Sequence, residues 1–243
     1  MNVRVLNGNF IKIIAAIAML IDHIGLLFFP DVVSFRLIGR ISMPLFAMMF
    51  AEGCRYTRSK LKHVSLIALL GIAYTVVFYL FSQEIYFSIL TTFTFSALMI
   101  YAFQAFQKSV FERKDVGTGV CAAAMFVCLV VFTYLFCLRF DVDYGFWGCM
   151  LPVFPLLFDL KEVGKGWWTD NYYVRLGCFA IGLLLQCLAS PWALSYFAFL
   201  SLLPLALYNG RRGKLKLKYF FYVFYPAHLA VLYGILMLIS YYG

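Results

Sequence analysis

Charged residues are scarce in this sequence. Asp, Glu, Lys and Arg make up 13% of its 243 residues, whereas a soluble globular domain carries about 25%. No long polar stretch is present that could form a separate soluble domain. Hydrophobic residues make up 64% and aromatic residues 20%, which is typical of a chain in lipid with aromatic rings at the interfaces. We therefore predict one integral membrane domain over residues 1–243.

Several motifs of soluble proteins are also absent. No CxxC pair occurs among the seven Cys and no HxxxH or HExxH spacing occurs among the three His, so we predict neither a disulfide framework nor a metal site. The net charge of +9 is spread over short loops. Because no basic stripe is interleaved with aromatic residues, we predict no nucleic-acid partner. The Gly-rich phosphate loops of soluble nucleotide enzymes are missing too.

Long apolar runs, in contrast, are abundant. A helix needs about 20 mainly apolar residues to cross a bilayer, and nine runs come near that length. They fall at about 9–29, 37–54, 63–82, 86–107, 117–138, 144–160, 171–189, 192–209 and 219–240. The predicted fold class is all-α, a polytopic bundle of about nine transmembrane helices. The runs 37–54 and 144–160 are the weakest, because one carries charges and the other is short and holds two prolines.

The basic residues indicate an orientation. If nine spans alternate, 17 of the 20 Lys and Arg residues fall on the side of the N-terminus and three on the other side. Cytoplasmic loops carry an excess of Lys and Arg. We therefore predict a cytoplasmic N-terminus, an external C-terminus and a multi-pass location in the bacterial inner (plasma) membrane, with the lipid bilayer as partner.

Asp22 and His23 are the first candidate site residues, since ionisable groups within membrane helices are costly and usually functional. Neighbours on a helix point about 100° apart, so the two side chains are not expected to face one spot. We expect Asp22 to pair with Arg40, which lies at a similar depth in the second span, while His23 points into a cavity. Arg40 could also act structurally, by neutralising Asp22 and pinning two helices.

Glu52 closes the second span at the predicted inner face. It could face a cytoplasmic cofactor entry, or it could be an interfacial acid paired with Arg55 or Arg58. His63, in a basic inner loop, is expected to be solvated.

Two further segments carry candidate groups. Asp143 and Tyr144 lie at the predicted outer mouth of the sixth span, where acids are commonly solvated. Tyr225 and His228 flank Pro226 in the last span. His228 could act directly, or it could hydrogen-bond a carbonyl that the proline leaves free.

Four of these segments, in order along the chain, resemble the TraX family. They are Lys12-Ile-Ile-Ala-Ala-Ile-Ala-Met-Leu-Ile-Asp22-His23-Ile-Gly25, Gly39-Arg40-Ile-Ser-Met-Pro44-Leu-Phe46-Ala with Glu52-Gly53 and Thr57, Asp143-Tyr144-Gly145, and Phe221-Tyr222-Val-Phe-Tyr225-Pro226-Ala-His228-Leu229. The family is named for a conjugation protein that acetylates the amino terminus of pilin, and it is similar to wider multi-pass membrane acyltransferases. No pilin context is visible in this sequence, so the pilin substrate does not carry over.

The resemblance implies a membrane-embedded acyltransferase that moves acetyl from cytosolic acetyl-CoA to an amine or hydroxyl of a peptide, protein N-terminus or glycan. It gives His23 the catalytic role, with Asp22, and supporting positions to Arg40, Glu52 and His228. We expect neutral His23 to act as general base and Arg40 or a backbone amide to stabilise the oxyanion. Asp22 would set the imidazole tautomer or hold Arg40. A covalent acetyl-histidine relay is the variant of this mechanism.

The basic run 211–218 is expected to contact anionic lipid headgroups. Alternatively, it and the basic loop 55–62 attract the CoA phosphates, with Arg55, Arg58 and Lys214 as candidate cofactor-binding residues. The alternative function is a small transporter or permease, which intramembrane charges and kinked helices suit equally. A purely structural scaffold would explain neither Asp22-His23 nor His228.

Overall fold

The computed structural model describes residues 4–159, 171–214 and 218–242. The helices are α1 (Gly8–Phe28), α2 (Val33–Gly39), α3 (Ser42–Tyr56), α4 (Lys60–Ser82), α5 (Ile89–Gln107), α6 (Val116–Arg139), α7 (Gly145–Met150), α8 (Tyr172–Ala189), α9 (Leu202–Ala206) and α10 (Lys218–Tyr242). A π-helical turn (Lys108–Arg113) follows α5, and 3₁₀ segments cover Phe154–Leu156 and Ala193–Ser201. Two short strands, β1 (Tyr86–Phe87) and β2 (Asp141–Val142), pair in parallel.

The protein is an all-α membrane protein. Within the described residues, seven helical stretches are long and apolar enough to cross a bilayer: Gly8–Phe28, Val33–Tyr56, Lys60–Leu80, Ile89–Phe111, Val116–Arg139, Tyr172–Ala189 and Val223–Tyr242. The predicted sixth and eighth spans correspond to the shorter apolar helices Gly145–Leu156 and Ala193–Ala206. The charges predicted at residues 161, 165 and 216 lie outside the described residues.

Prolines explain where the helices break. Pro44 has no N–H for the carbonyl of residue 40 and its ring clashes there, and the chain accordingly leaves helical geometry between α2 and α3. Pro152 follows the end of α7 and Pro191 follows the end of α8. At the start of α1, the Asn7 side chain accepts hydrogen bonds from the first backbone amides of the helix. Asn7 is therefore the N-cap at which α1 begins.

Contacts divide the chain into two compact units. The first comprises residues 1–49 and 187–243. Within it α1 and α10 run in the same direction, because the Lys12 ammonium lies over the Phe221 ring near their beginnings and His23 meets His228 farther along both. If both helices cross a membrane in the same direction, the chain crosses it an odd number of times from α1 to α10, with both helices counted.

The segment 193–206 of the first unit runs antiparallel to α1. Its 3₁₀ part contacts α2, which packs along the C-terminal half of α1, where Phe29 and Phe35 stack. Its other end leads to Tyr208, which forms a β-bridge with Leu6 just before α1. A 3₁₀ helix rises about 2.0 Å per residue, so nine 3₁₀ and five α-helical residues reach about 25 Å.

The second unit comprises residues 50–186. Its segment 143–157 runs beside α5 from one end to the other: Thr92 Oγ1 donates to the Asp143 carbonyl, Ser96 Oγ to the Cys149 carbonyl and Gln107 Nε2 to the Leu156 carbonyl. The core of this unit is built by buried side chains of these helices, including Met99, Ile100, Cys149, Val153 and Leu156. The short sixth segment therefore follows α5 over most of its length.

Candidate functional site

Two histidines from opposite ends of the chain meet in the first unit. His23 on α1 and His228 on α10 have ring centroids 5.0 Å apart in an edge-to-face arrangement. His228 Nε2 lies 3.4 Å from His23 Nδ1. Of the two, His228 is the more buried, with 6% of its surface exposed. A pair of neutral imidazoles in this setting can hold and pass a proton.

Hydrogen bonds to the backbone fix where the protons lie. His23 Nδ1 is 2.8 Å from the Met19 carbonyl oxygen, and His228 Nδ1 is 2.8 Å from that of Phe224. A carbonyl oxygen only accepts, so both Nδ1 atoms carry hydrogen. His228 Nε2 then presents a lone pair towards His23 Nδ1–H. The remaining nitrogen, His23 Nε2, has a lone pair and no protein hydrogen bond among the described residues, which is the state a general base needs.

Asp22 contacts a different helix from His23. Its Oδ2 accepts from Arg36 Nη1 at 2.7 Å, with 19% of the Asp22 side chain and 27% of the Arg36 side chain exposed. The predicted pairing of Asp22 with Arg40 is therefore wrong: the partner is Arg36, one helical turn earlier. Arg36 lies within α2, whereas Arg40 follows its end, where Pro44 interrupts the helix.

A glycine allows this contact. A Cβ at Gly39 would lie 2.0 Å from Asp22 Oδ1, so α2 approaches Asp22 only because residue 39 has no side chain. Arg40 is close enough for its charge to act on Asp22, but its Nε is buried without a hydrogen bond, as is Asp22 Oδ1. One donor and one acceptor thus stay available where α2 approaches Asp22.

Tyr225 lies beside the histidines as well. It is buried, and its ring centroid is 6.0 Å from that of His228. The first unit therefore assembles five of the sequence-predicted site residues, namely Asp22, His23, Arg40, Tyr225 and His228.

The other predicted acid, Glu52, belongs to a buried ionic network in the second unit. Its carboxylate forms an ion pair with Arg175 on α8, so the predicted partners Arg55 and Arg58 are both wrong. Arg55 instead binds Asp159, with its Nη2 2.8 Å from Oδ1 and its Nε hydrogen-bonded to Oδ2. The Arg55 charge is thereby neutralised within the protein.

Asp143 and Tyr144 lie where the two strands meet. The Asp143 amide donates to the Phe87 carbonyl at 2.9 Å, and its carboxylate hydrogen-bonds Tyr86. Burial raises the pKa of the Tyr86 phenol well above its ordinary value, and the neighbouring Asp143 charge raises it further. Tyr144 has a φ of +61°, a left-handed conformation that costs a non-glycine residue about 1 kcal/mol or more.

The two candidate phosphate ligands outside this network are exposed. Arg58 follows α3 in the second unit, and Lys214 follows a loop in the first. That loop is held against the start of α1, because Gly8 N donates to the Arg211 carbonyl and Asn9 N to the Arg212 carbonyl. The described part of 211–218 thus places basic side chains beside the beginning of α1.

Known proteins resemble this chain over most of its length. A family described as "TraX protein" matches residues 7–236. This chain belongs to the TraX family. It is 26% identical over 238 residues to a protein of Dichelobacter nodosus named as a probable fimbrial assembly protein, FimC of serogroup H1, and the match covers 91% of this chain and 92% of that protein. It is 32% identical over 137 residues to the uncharacterised protein RP591 of Rickettsia prowazekii, over 56% and 50% of the two chains. No solved structure matches at a significant level.

The TraX match covers every candidate site residue, from Asp22 to His228. Several ion-pair partners in this TraX chain were nevertheless not predicted from the sequence. Arg36, Asp159 and Arg175 looked like loop or span-end charges, and each forms an ion pair. His63, expected to be solvated, instead hydrogen-bonds the Tyr101 hydroxyl at 2.6 Å. The one available signal was the presence of Arg175 and Asp159 at the edges of apolar runs, where an unpaired charge is costly.

The described residues contain no group of three His, Cys, Asp or Glu side chains that could hold a metal ion. The hydrogen-bonding groups around His23 suit proton transfer to or from an organic substrate.

Proposed function

We propose that this TraX-family protein is an acyltransferase of the bacterial plasma membrane, which transfers acetyl from cytosolic acetyl-CoA to an amine or hydroxyl. The observation that carries the proposal is the His23–His228 pair, in which His23 Nδ1–H is pinned and Nε2 keeps its lone pair. The name of the Dichelobacter relative, a probable fimbrial assembly protein, favours a peptide or protein acceptor over a glycan.

His23 acts as general base in this proposal. Its Nε2 takes the proton of the acceptor as the acceptor nitrogen or oxygen bonds to the thioester carbonyl carbon. The carbon–sulfur bond then breaks. The CoA sulfur takes the proton from His23 Nε2 and leaves as the thiol, which restores neutral His23. While His23 is an imidazolium, the Met19 carbonyl and His228 Nε2 accept from its Nδ1–H. A positioned base contributes typically 10²–10⁴-fold to the rate.

The Arg40 guanidinium supplies the complementary charge. Its buried Nε–H has no protein acceptor, and such a donor is what a developing oxyanion needs. Arg36 is engaged by Asp22. This pair positions α2, and thereby the arginine that follows it.

Exposed basic residues are available for the phosphates of the donor. Arg58 and Lys214 are exposed, whereas Arg55 is neutralised by Asp159. We therefore assign phosphate attraction to Arg58 rather than to Arg55.

The topology that fits this chemistry has nine crossings with the N-terminus inside. Parallel α1 and α10 require an odd number of crossings. The segments 143–157 and 193–206 each run the length of a membrane-spanning helix beside them. Charge counting selects the inner side. Cysteine-accessibility labelling in intact cells tests this arrangement, with a single Cys placed either in the loop 211–214 or after Asp141. We expect only the Cys after Asp141 to be labelled from outside.

The central experiment measures acetyl-CoA turnover by purified protein in the presence of peptide and glycan acceptors. His23→Ala should reduce turnover by about 10²-fold or more, with retained folding. His63→Ala is the matched control, because His63 is likewise a half-buried histidine, which hydrogen-bonds the Tyr101 hydroxyl, but it lies in the second unit. Full activity of the His23→Ala protein would falsify the assignment.

A further inference from the structure

The second unit contains a buried ionic network of two acids and two arginines. Glu52 and Arg55 lie on α3, Asp159 follows the 3₁₀ turn Phe154–Leu156, and Arg175 lies on α8. At most 7% of any of these side chains is exposed. Burying ions is costly unless every hydrogen-bonding group is satisfied, so a purely structural network is expected to be complete.

The two ion pairs differ in how many of their buried hydrogen-bonding atoms have a partner. Arg55 uses two nitrogens, Nε and Nη2, to bind both oxygens of Asp159. Arg175 uses only Nη1 to bind Oε1 of Glu52. Arg175 Nε and Glu52 Oε2 are both buried without a hydrogen bond. The Glu52–Arg175 pair thus leaves one buried donor and one buried acceptor, while its neighbour leaves none.

A donor and an acceptor on one ion pair match a group that has both a carbonyl oxygen and an N–H. A secondary amide has this chemistry, with its oxygen accepting from Arg175 Nε and its N–H donating to Glu52 Oε2. Bonds to charged partners are the stronger class. An alcohol would satisfy the same two atoms with one oxygen, but a membrane site that excludes water gains most from a flat amide that matches the guanidinium plane.

The surroundings indicate which amide. Gly53, next to Glu52, is exposed and a Cβ there would meet nothing within 4 Å, so α3 has an open side at this level. The exposed Arg58 and Lys62 follow within ten residues of Glu52. A buried amide-binding pair followed by exposed cations fits a ligand with an amide-containing arm that ends in phosphates.

We propose that Glu52 and Arg175 bind an amide of the pantetheine arm of acyl-CoA, while Arg58 and Lys62 face its phosphates. This inference rests on the proposed function, because it takes the acyl donor from there. It makes Glu52 and Arg175 donor-binding residues, without a role in proton transfer.

The test compares CoA with adenosine 3′,5′-bisphosphate, which keeps the nucleotide phosphates and lacks the pantetheine arm. Affinities are measured by calorimetry on the full-length protein in lipid nanodiscs. Glu52→Gln replaces the free acceptor with a donor and should weaken CoA binding by about tenfold or more, with the bisphosphate affinity unchanged. Asp159→Asn is the matched control: it breaks the complete pair and frees the Arg55 charge, which acts on the phosphates of both ligands, so the ratio of the two affinities should stay unchanged.

A measurement on the unmodified protein covers the case in which the variants do not fold. Hydrogen–deuterium exchange should slow over residues 50–56 and 172–178 when CoA or pantetheine binds, and should not change there with the bisphosphate. Equal protection by all three ligands, or none over these residues with CoA bound, overturns the amide site and leaves the acyl-CoA donor standing. Failure of CoA to bind at all overturns both this inference and the proposed donor.

Discussion

The pairing of Asp22 with Arg36 rather than Arg40 leads to a quantitative prediction. The Arg36 Nη1 to Asp22 Oδ2 distance is 2.7 Å, and about a fifth to a quarter of each side chain is exposed. Exposed ion pairs contribute about 0.2–1 kcal/mol, and loss of one partner from a buried pair costs about 3–5 kcal/mol. For this partly buried pair we expect a coupling free energy of about 1–2 kcal/mol.

The comparison with Arg40 makes this prediction discriminating. Arg40 acts on Asp22 only through its charge and donates no hydrogen bond to it among the contacts described. We expect an Asp22–Arg40 coupling below about 0.7 kcal/mol. Both couplings follow from double-mutant cycles with Asp22→Asn, Arg36→Gln and Arg40→Gln.

The assay is equilibrium unfolding in mixed micelles, with the free energy of unfolding obtained from the denaturant dependence. All variants are compared at one pH and one salt concentration, because screening weakens partly exposed pairs. An Asp22–Arg40 coupling equal to or larger than the Asp22–Arg36 coupling would refute the geometry described for α2.

Other predictions test single contacts. Gly39→Ala should lower the free energy of unfolding by about 1–3 kcal/mol, because its Cβ would overlap Asp22. Gly234→Ala, whose Cβ meets nothing within 4 Å, is the control and should stabilise the protein by up to about 1 kcal/mol. Equal effects of the two substitutions would contradict the close approach of α2 to Asp22. The raised pKa of Tyr86 keeps its phenol protonated in the folded state, so the free energy of unfolding should fall above about pH 10. Tyr86→Phe should flatten this pH dependence, and an unchanged pH dependence would argue against the raised pKa. His228→Ala should lower kcat about tenfold or more with an unchanged KM for acetyl-CoA, and His228→Gln, which keeps an acceptor, should restore part of kcat; a change in KM alone would refute its positioning role.

Helix geometry explains why the sequence could not identify the partner of Asp22. Arg36 and Arg40 are four residues apart, so both lie on the same face of a continuous helix. Only the break at Pro44, together with the close approach at Gly39, selects Arg36. The sequence contained both causes, but their combined effect on the path of α2 depends on packing against α1.

The predicted span boundaries depended on simpler physics. Apolar runs of about 20 residues form helices in lipid because unpaired backbone groups are too costly there, and seven of the nine predicted runs coincide with helices long enough to cross. The two runs that became short helices both contain prolines, Pro152 and Pro155 in one and Pro204 in the other, whereas Pro44 and Pro226 lie in runs that keep a long helix. A 3₁₀ segment in place of an α-helix is not visible in hydrophobicity alone.

The sequence by itself determined that this is an all-α membrane protein of the TraX family, because composition, run length and ordered motifs are local properties of the chain. Only the tertiary structure decided which charges and histidines meet. His23 and His228 are 205 residues apart in sequence, and Glu52 and Arg175 are 123 apart. No local pattern encodes such contacts, since they follow from how the helices pack within each unit.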